Sequence, residues 1–455
     1  MLKSKVAVQV VSSGILQDDV IMLGEAYLKQ WKIPQGQPLT LKFGALRQPV
    51  KVVPVEKFDG MRIGQSLARR MGLYASTTLR IQYRSETSIL ALGPLIGVLI
   101  SRDDPGMKER PFGSITMFCK ELVDACAVQG AHVYFFTPDH ITGNSNTVEG
   151  WVYSGGWRKT AVPAPDVVNN RLTSRKLENK PSVQHFIKEV KSRHNTAVFN
   201  EKFLDKPEVF EALVKDSAVV KYLPESHVLR NFTMLKSMCS KYPSVFLKPV
   251  RGSLGKGIIR ISRAENESFH AFYTTDGGTR RQNFSSLLKL FSSISGKMKT
   301  VRYQIQQGLY LIDNGGRPVD FRALVQKNEA GIWKVTSIVA RTAGSHHFVS
   351  NLARGGTLST VREAVAKSNL TSVTGTETAN RLNRAALEIA KGIDTHIPAH
   401  FGELGIDLAV DTGGRVWLLE VNSKPSKNDN TPLQDQKIRP SVRNMIRYSR
   451  HLAEF

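Results

Sequence analysis

The sequence predicts a mixed α/β and α+β protein made of successive units, and three observations carry that reading. Residues 1 to about 88 contain short β-rich runs separated by turns (VAVQVV, PLTLKFG, VKVVPV, TLRIQY), the pattern of a small barrel or sandwich. Pro94–Ser101 is apolar without alternation, as in a strand covered on both faces. A helical stretch, Ile115–Gln129, follows it and is stopped by Gly130; the strand His132–Phe136 then completes a βαβ unit with a parallel sheet. From about Ser174 strands and helices mix, and the chain closes on a hairpin, Leu404–Val410 and Val416–Asn422 around Gly413-Gly414.

Taken in order, the first unit adds one short helix over Ile63–Met71, and no residue in it suggests chemistry. The second unit, 89–175, ends in a WVYSGGWRK hairpin and PAPDVVNNRL. The third, 176–455, divides near 308. Its first half has a basic, polar stretch over Lys176–His194 and a helix starting at Pro207. The strand Val245–Pro249, a glycine-rich loop and the strand Ile258–Ser262 come next, then a helix over Phe284–Lys299 and the strand Tyr303–Gln307. The second half has a hairpin of Val319–Gln326 and Ile332–Arg341, a long helix over Ala379–Ile393, and the final hairpin. No internal repeat and no long low-complexity segment is apparent.

Composition narrows the function classes. The chain has 455 residues, 41% of them hydrophobic and 22% charged, an ordinary globular balance. Lys and Arg number 63 against 39 Asp and Glu, a formal charge of +24. That favours acidic partners such as nucleotides, an anionic polymer or an anionic surface. The basic residues are spread along the chain without a nucleic-acid-binding module, so nucleic acid is not the expected partner. Cys119, Cys126 and Cys239 form no CxxC and read as buried thiols of a reducing, cytoplasmic compartment. The N-terminal apolar run is too short for a signal peptide, and Gly93-Pro94 breaks the longest apolar stretch, so no membrane span is expected.

The final hairpin is the most informative segment. With Gly413-Gly414 as a two-residue loop, counting back puts Asp407 opposite Glu420, with Asn422 two residues on and on the same face. Ile406, Leu408, Val410, Trp417, Leu419 and Val421 then form a core face. Two opposed carboxylates repel, and a hard cation removes the conflict. A carboxylate, carboxylate and amide set suits Mg2+ that keeps waters and grips substrate phosphates. The plainer reading is a solvated strand face with chance acids.

A second constellation lies in FLKPVRGSLGKGIIRIS. Gly252, Gly255 and Gly257 let backbone N–H groups turn toward an anion, and Lys248 and Lys256 supply point charges. The spacing is neither that of a Walker A loop nor of a dinucleotide fingerprint. Taken alone, the loop reads equally well as a tight hairpin turn.

Together, the lysine strand, the glycine-rich hairpin, the connecting strand and D-x(12)-E-x-N resemble the ATP-grasp fold. The stretches LKPVRGSLGKGIIRI, QQGL, DFRALVQK, NLARGGT, GELGIDLAVD and WLLEVNSKPSK are similar to the YheC/YheD-type endospore coat-associated ATP-grasp proteins, over roughly Pro94 to Tyr448. The resemblance implies two α+β subdomains clamping ATP, preceded by a pre-ATP-grasp α/β domain. It implies ATP with two Mg2+ ions, for which Mn2+ can substitute. Asp407, Glu420 and Asn422 match the metal ligands. Lys248, Gly252, Ser253, Gly255, Lys256 and Gly257 match the lysine and the mobile loop over the phosphates. Gln306, Gln307 and Leu309 match the hinge that reads adenine, with glutamine where many ligases of this fold have an acid.

Arg322, in DFR, and Arg341 are the candidates for stabilising the γ-phosphate and an acyl-phosphate transition state. Asn351, Arg354 and Gly355 are candidates for binding the acceptor, with a plain glycine-rich turn as the alternative. His346-His347 point to opposite faces of an extended strand and are not expected to share a metal. The implied activity is ATP-dependent ligation of a carboxylate to an amine or thiol, with association with spore-coat proteins. Two rivals stand beside it: a nucleotide-binding coat protein without catalysis, and a nucleic-acid binder using the basic charge.

Overall fold

The computed structural model describes all residues except 1–3, 13, 142, 144–145, 252–255, 276–277, 345–355 and 427–437. Its first unit is a closed barrel. Strands β1 (Lys5–Val11), β2 (Val20–Gly24), β3 (Pro38–Phe43), β4 (Leu46–Val55), β5 (Met61–Gly64), β6 (Thr77–Arg84) and β7 (Ile89–Gly93) run in the order β1-β5-β2-β4-β3-β7-β6. Helices α1 (Glu25–Trp31) and α2 (Gln65–Arg70) follow β2 and β5. Alternation drives the closure: Val6, Val8, Leu39, Leu41, Leu79 and Ile81 are buried inside, and the residues between them face outward. Because β7 pairs with β3 and β6, the barrel runs past the boundary expected at 88.

The barrel also holds an internal repeat that the sequence reading missed. Each half is a β-β-α-β unit, β1-β2-α1-β3 and β4-β5-α2-β6. The parallel pair β1·β5 is mirrored by β4·β2, and the antiparallel pair β1·β6 by β4·β3. The halves share little beyond the glycine before each helix. A Cβ at Gly24 would meet the Phe58 carbonyl oxygen at 2.0 Å, and one at Gly64 the Leu16 carbonyl oxygen at 3.0 Å.

The second unit is a six-stranded sheet, ordered β11-β10-β9-β8-β12-β13. Its strands are β8 (Leu95–Leu99), β9 (His132–Phe136), β10 (Thr147–Tyr153), β11 (Trp157–Pro163), β12 (Val167–Asn170) and β13 (Ala197–Phe199). Strands β9, β8, β12 and β13 are parallel, as the unbroken apolar runs predict. One face packs on α3 (Thr116–Gln129), where Cys119 and Cys126 are buried, and on the C-terminal α11 (Pro440–Leu452). The other packs on the barrel and on α5 (Pro181–His194), which follows the short α4 (Arg175–Glu178). This unit therefore continues past 175 to Phe199 and recruits a helix from the far end of the chain, because both faces of a parallel sheet must be covered.

The third unit faces two sheets toward each other. One has β14 (Ser226–Val228), β15 (Ser244–Pro249), β16 (Ile259–Arg263), β17 (Phe269–Thr275), β18 (Gly278–Phe284) and β19 (Tyr303–Gln307), ordered β14-β19-β15-β16-β17-β18. Val245, Leu247, Ile259, Ile261 and Ile305 bury against α7 (Phe232–Lys241) and α8 (Leu287–Met298). The alternate residues, Phe246, Lys248, Gln304 and Gln306, take the opposite face.

The other sheet contains β21 (Arg317–Lys327), β22 (Trp333–Thr342), β23 (Thr357–Ser359), β24 (Glu403–Val410) and β25 (Val416–Asn422), with β20 (Asp313–Asn314) beside β21. Helices α6 (Lys206–Leu213), α9 (Val361–Ala366) and α10 (Gly375–His396) share its core. Among the described residues no helix is long and apolar enough to cross a membrane.

Candidate active site

The hairpin of β24 and β25 places Asp407 opposite Glu420 and Gly405 opposite Asn422, through two local departures from the expected register that cancel. The loop is not two residues. Asp411 pairs with Arg415 (N–H to carbonyl 3.0 Å), its carboxylate accepts from the Gly413 and Arg415 N–H groups, and Gly414 takes φ +82°. A bulge then sets Leu408 opposite Leu418, and the extra residue, Leu419, restores the pairing. The core face of β25 is accordingly Val416, Leu418 and Val421. Trp417 and Leu419, expected there, lie outside that core cluster.

The carboxylates do not repel each other unopposed. Arg322, paired with Asp407 across β21 and β24, donates from Nε to Oδ1 and from Nη2 to Oδ2 at 3.0 Å. Arg341 bridges Asp320 (2.6 and 2.9 Å) and Asp407 Oδ2 (3.3 Å). Burial works to raise the Asp407 carboxyl, but the Arg322 and Arg341 guanidiniums outweigh it and hold it below the usual carboxylate range. Burial works to lower Arg341; Asp407 and Asp320 outweigh it and keep it protonated. Glu420 accepts from Lys206 Nζ at 3.2 Å.

The donor set fits a hard cation. Asp407, Glu420 and Asn422 offer oxygens from one face of the hairpin; Asp407 Oδ2 already accepts from both arginines, while Asp407 Oδ1 and Glu420 Oε1 keep a lone pair beyond Arg322 and Lys206. Among the described residues no group of three His, Cys, Asp or Glu is placed to hold a metal. An ion held by these three donors would complete its shell with water or with oxygens of a ligand.

Facing the hairpin, Lys248 Nζ donates to Gln306 Oε1, and Gln306 Nε2 donates to Ser226 Oγ at 2.9 Å. Burial, with Lys206 adding to it, pushes the Lys248 ammonium down to about 8; Glu420 and Asp407 oppose the shift. Lys248 is thus acted on across the cleft by Lys206 and by the two carboxylates. Gln307 is tied to Glu225, through N–H to carbonyl at 2.9 Å and side-chain oxygen to N–H at 3.2 Å, and Leu309 follows at the crossing to the next sheet. Lys256 and Gly257 form a turn before β16. Gly252, Ser253 and Gly255, the candidate acceptor residues Asn351, Arg354 and Gly355, and His346-His347 lie outside the described residues.

Two lysines escaped the sequence reading. Lys206 is the first residue of α6, after the cap Asp205, and nothing at a helix start marks a lysine aimed at the carboxylate of Glu420, more than two hundred residues on. Lys424, in the Ser-Lys-Pro turn, donates to Glu178 Oε2 in a buried pair; burial pushes it down to about 8 against the pull of Glu178.

Residues 195–452 match the family model for YheC/D-like ATP-grasp. The chain is 30% identical over 358 residues to the endospore coat-associated protein YheD of Bacillus subtilis strain 168, covering 77% of this chain and 78% of that one. It is 25% identical over 319 residues to YheC of the same organism, covering 68% and 85%. Among solved structures, D-cycloserine synthetase DcsG is similar at 13% identity and a TM-score of 0.46, over 79% of this chain and 99% of that one. The chain belongs to the YheC/YheD-like family of ATP-grasp proteins.

Proposed function

We propose that this protein is an ATP- and Mg2+-dependent ligase joining a carboxylate to an amine or thiol through an acyl phosphate. The observation that carries the reading is the convergence of Lys248 from one side of the cleft with Lys206, Asp407, Glu420 and Asn422 from the other. Lysines neutralise phosphate oxygens, and the oxygen donors suit an ion on the same phosphates. Bound Mg2+ supplies charge neutralisation where the phosphates meet the hairpin. In the reaction a carboxylate oxygen attacks the γ-phosphorus, and the bond to the β-phosphate bridging oxygen breaks to release ADP. The amine then attacks the acyl carbon, and phosphate leaves.

Lys248 and Lys206 hold the phosphates. Arg322 keeps Asp407 ionised and, with Arg341, brings positive charge to the transferring group. Gln306, held by Lys248 and Ser226, stands at the hinge end of the same face. The relatives' names suggest that the product belongs to the endospore coat.

Hydroxylamine supplied with ATP, Mg2+ and a panel of carboxylates tests this reading. The expected result is ADP together with a hydroxamate. AMP and pyrophosphate as products overturn the acyl-phosphate chemistry. ATP binding with neither ADP nor hydroxamate favours the second reading, a nucleotide-binding coat protein without catalysis, which the same relatives' names support.

A further inference from the structure

A cavity of about 330 Å3 opens beside Glu420 and Asn422 and is lined by Arg175, Lys206, Arg251 and Lys424. It sits outside the carboxyl ends of β8 and β12, neighbouring strands whose onward connections lead to opposite sides of the sheet, to β9 and to β13. In open α/β sheets that crevice is where ligands bind. The two strand ends are joined there, Thr173 N–H donating to Ser101 Oγ at 2.8 Å.

The charges in this cavity do not cancel. Lys206 is matched by Glu420, and Lys424 by Glu178. Arg175 and Arg251 have no carboxylate within ion-pair distance among the described residues, although Asp205 and Glu178 act on Arg175 from farther away. Arg175 is nonetheless anchored. Its Nη2 donates to the Leu204 carbonyl at 2.5 Å, and its guanidinium lies 5.0 Å from the Phe203 ring, which also carries Lys424 Nζ at 4.4 Å. Burial lowers the Arg175 guanidinium, and Arg251, a like charge, adds to that against the pull of Asp205. Two guanidiniums that repel one another beside a crevice, one of them fixed by a carbonyl and a ring, form a receptor for an anion.

We propose that the carboxylate substrate carries a second anionic group, held by Arg175 and Arg251 while its reacting carboxylate lies beside Glu420 and Asn422. This rests on the ligase reading and names its substrate class. The cavity is at the small end of the range for ligand sites. Its occupant is therefore a short dianionic acid, or the end of a peptide bearing an acidic side chain beside its terminal carboxylate. Arg175 is a positioning residue. It sets which carboxylates reach the phosphates and takes no part in the transfer.

Calorimetry on the full chain separates these outcomes, with glutarate against its monoamide as one pair and Ala-Glu against Ala-Gln as the other. The member carrying two carboxylates in at least one pair is expected to bind about tenfold more tightly than its partner, the size of one charge-assisted contact. Arg175→Gln is expected to abolish that difference while leaving MgATP affinity unchanged. Preference for glutarate identifies a free acid, and preference for Ala-Glu a peptide end. Equal binding within both pairs, no binding by any member, or a preference that survives both Arg175→Gln and Arg251→Gln overturns the proposal. A preference for the second carboxylate that yields no hydroxamate with ATP and hydroxylamine keeps the anion site and overturns the ligase reading instead.

Discussion

Asp407 and Glu420 face each other across β24 and β25, and each is held by a cation from a different part of the chain, Arg322 on the neighbouring strand and Lys206 at the start of α6. The opposition is thereby balanced by positive charge, and the metal proposed for it is not needed to keep it stable. Arginine and lysine supply the positive charge that the pair needs, and an added ion joins lone pairs that remain.

Nucleotide affinity should therefore depend on the ion. Calorimetry is expected to show ATP binding that strengthens with Mg2+, with Mn2+ able to replace it. If ATP binds equally well in EDTA, Asp407, Glu420 and Asn422 do not hold a metal against the phosphates.

The two sides of the cleft should separate on mutation. Lys248→Ala removes the charge-assisted phosphate contact proposed for this residue and is expected to weaken ATP binding about 10- to 100-fold. Glu420→Gln keeps the shape of the hairpin and is expected to bind nucleotide yet lose ADP release. Circular dichroism checks the interpretation: unfolding of both variants would make these residues structural.

The depressed Lys248 pKa gives a pH signature. The unfolded lysine titrates near 10.5 and the folded one near 8, so between those values the unfolded chain binds more protons. This group's contribution to stability therefore rises with pH across that window. Phosphate binding needs the protonated form and should run the other way. ADP affinity in EDTA is expected to fall as pH rises through about 8, and Lys248→Arg is expected to flatten the decline. An unchanged slope in Lys248→Arg would assign the titration to another group.

The bulge makes a stability prediction that the simple alternating register does not. Leu418 is fully buried and Leu419 is not. Leu418→Ala is expected to cost about 2–5 kcal/mol in urea unfolding, the range for core leucines, and Leu419→Ala well below it. The reverse order would mean that the strand runs without the bulge.

Whatever depends on neighbours along the chain was legible in the residues alone. Period-two alternation marked the strands, and the unalternated run Leu95–Leu99 announced a parallel sheet covered on both faces. The spacing from Asp407 to Glu420 set them opposite each other, although by an offsetting pair of errors: a longer loop and a bulge are each worth one residue and neither is visible in the alternation. The tertiary structure decided what depends on distant partners. The two barrel halves pair symmetrically although their sequences share little, because strand pairing constrains shape and burial more than identity. The helix α11 covers α3, more than three hundred residues earlier in the chain, as the bond from Arg439 N–H to Glu121 records. Lys206, Arg175 and Lys424 carried no local signal, since a lysine or arginine at a helix start or in a turn is ordinarily solvated. Only the meeting of α4, α6 and β25 at one cavity gives those charges a common object.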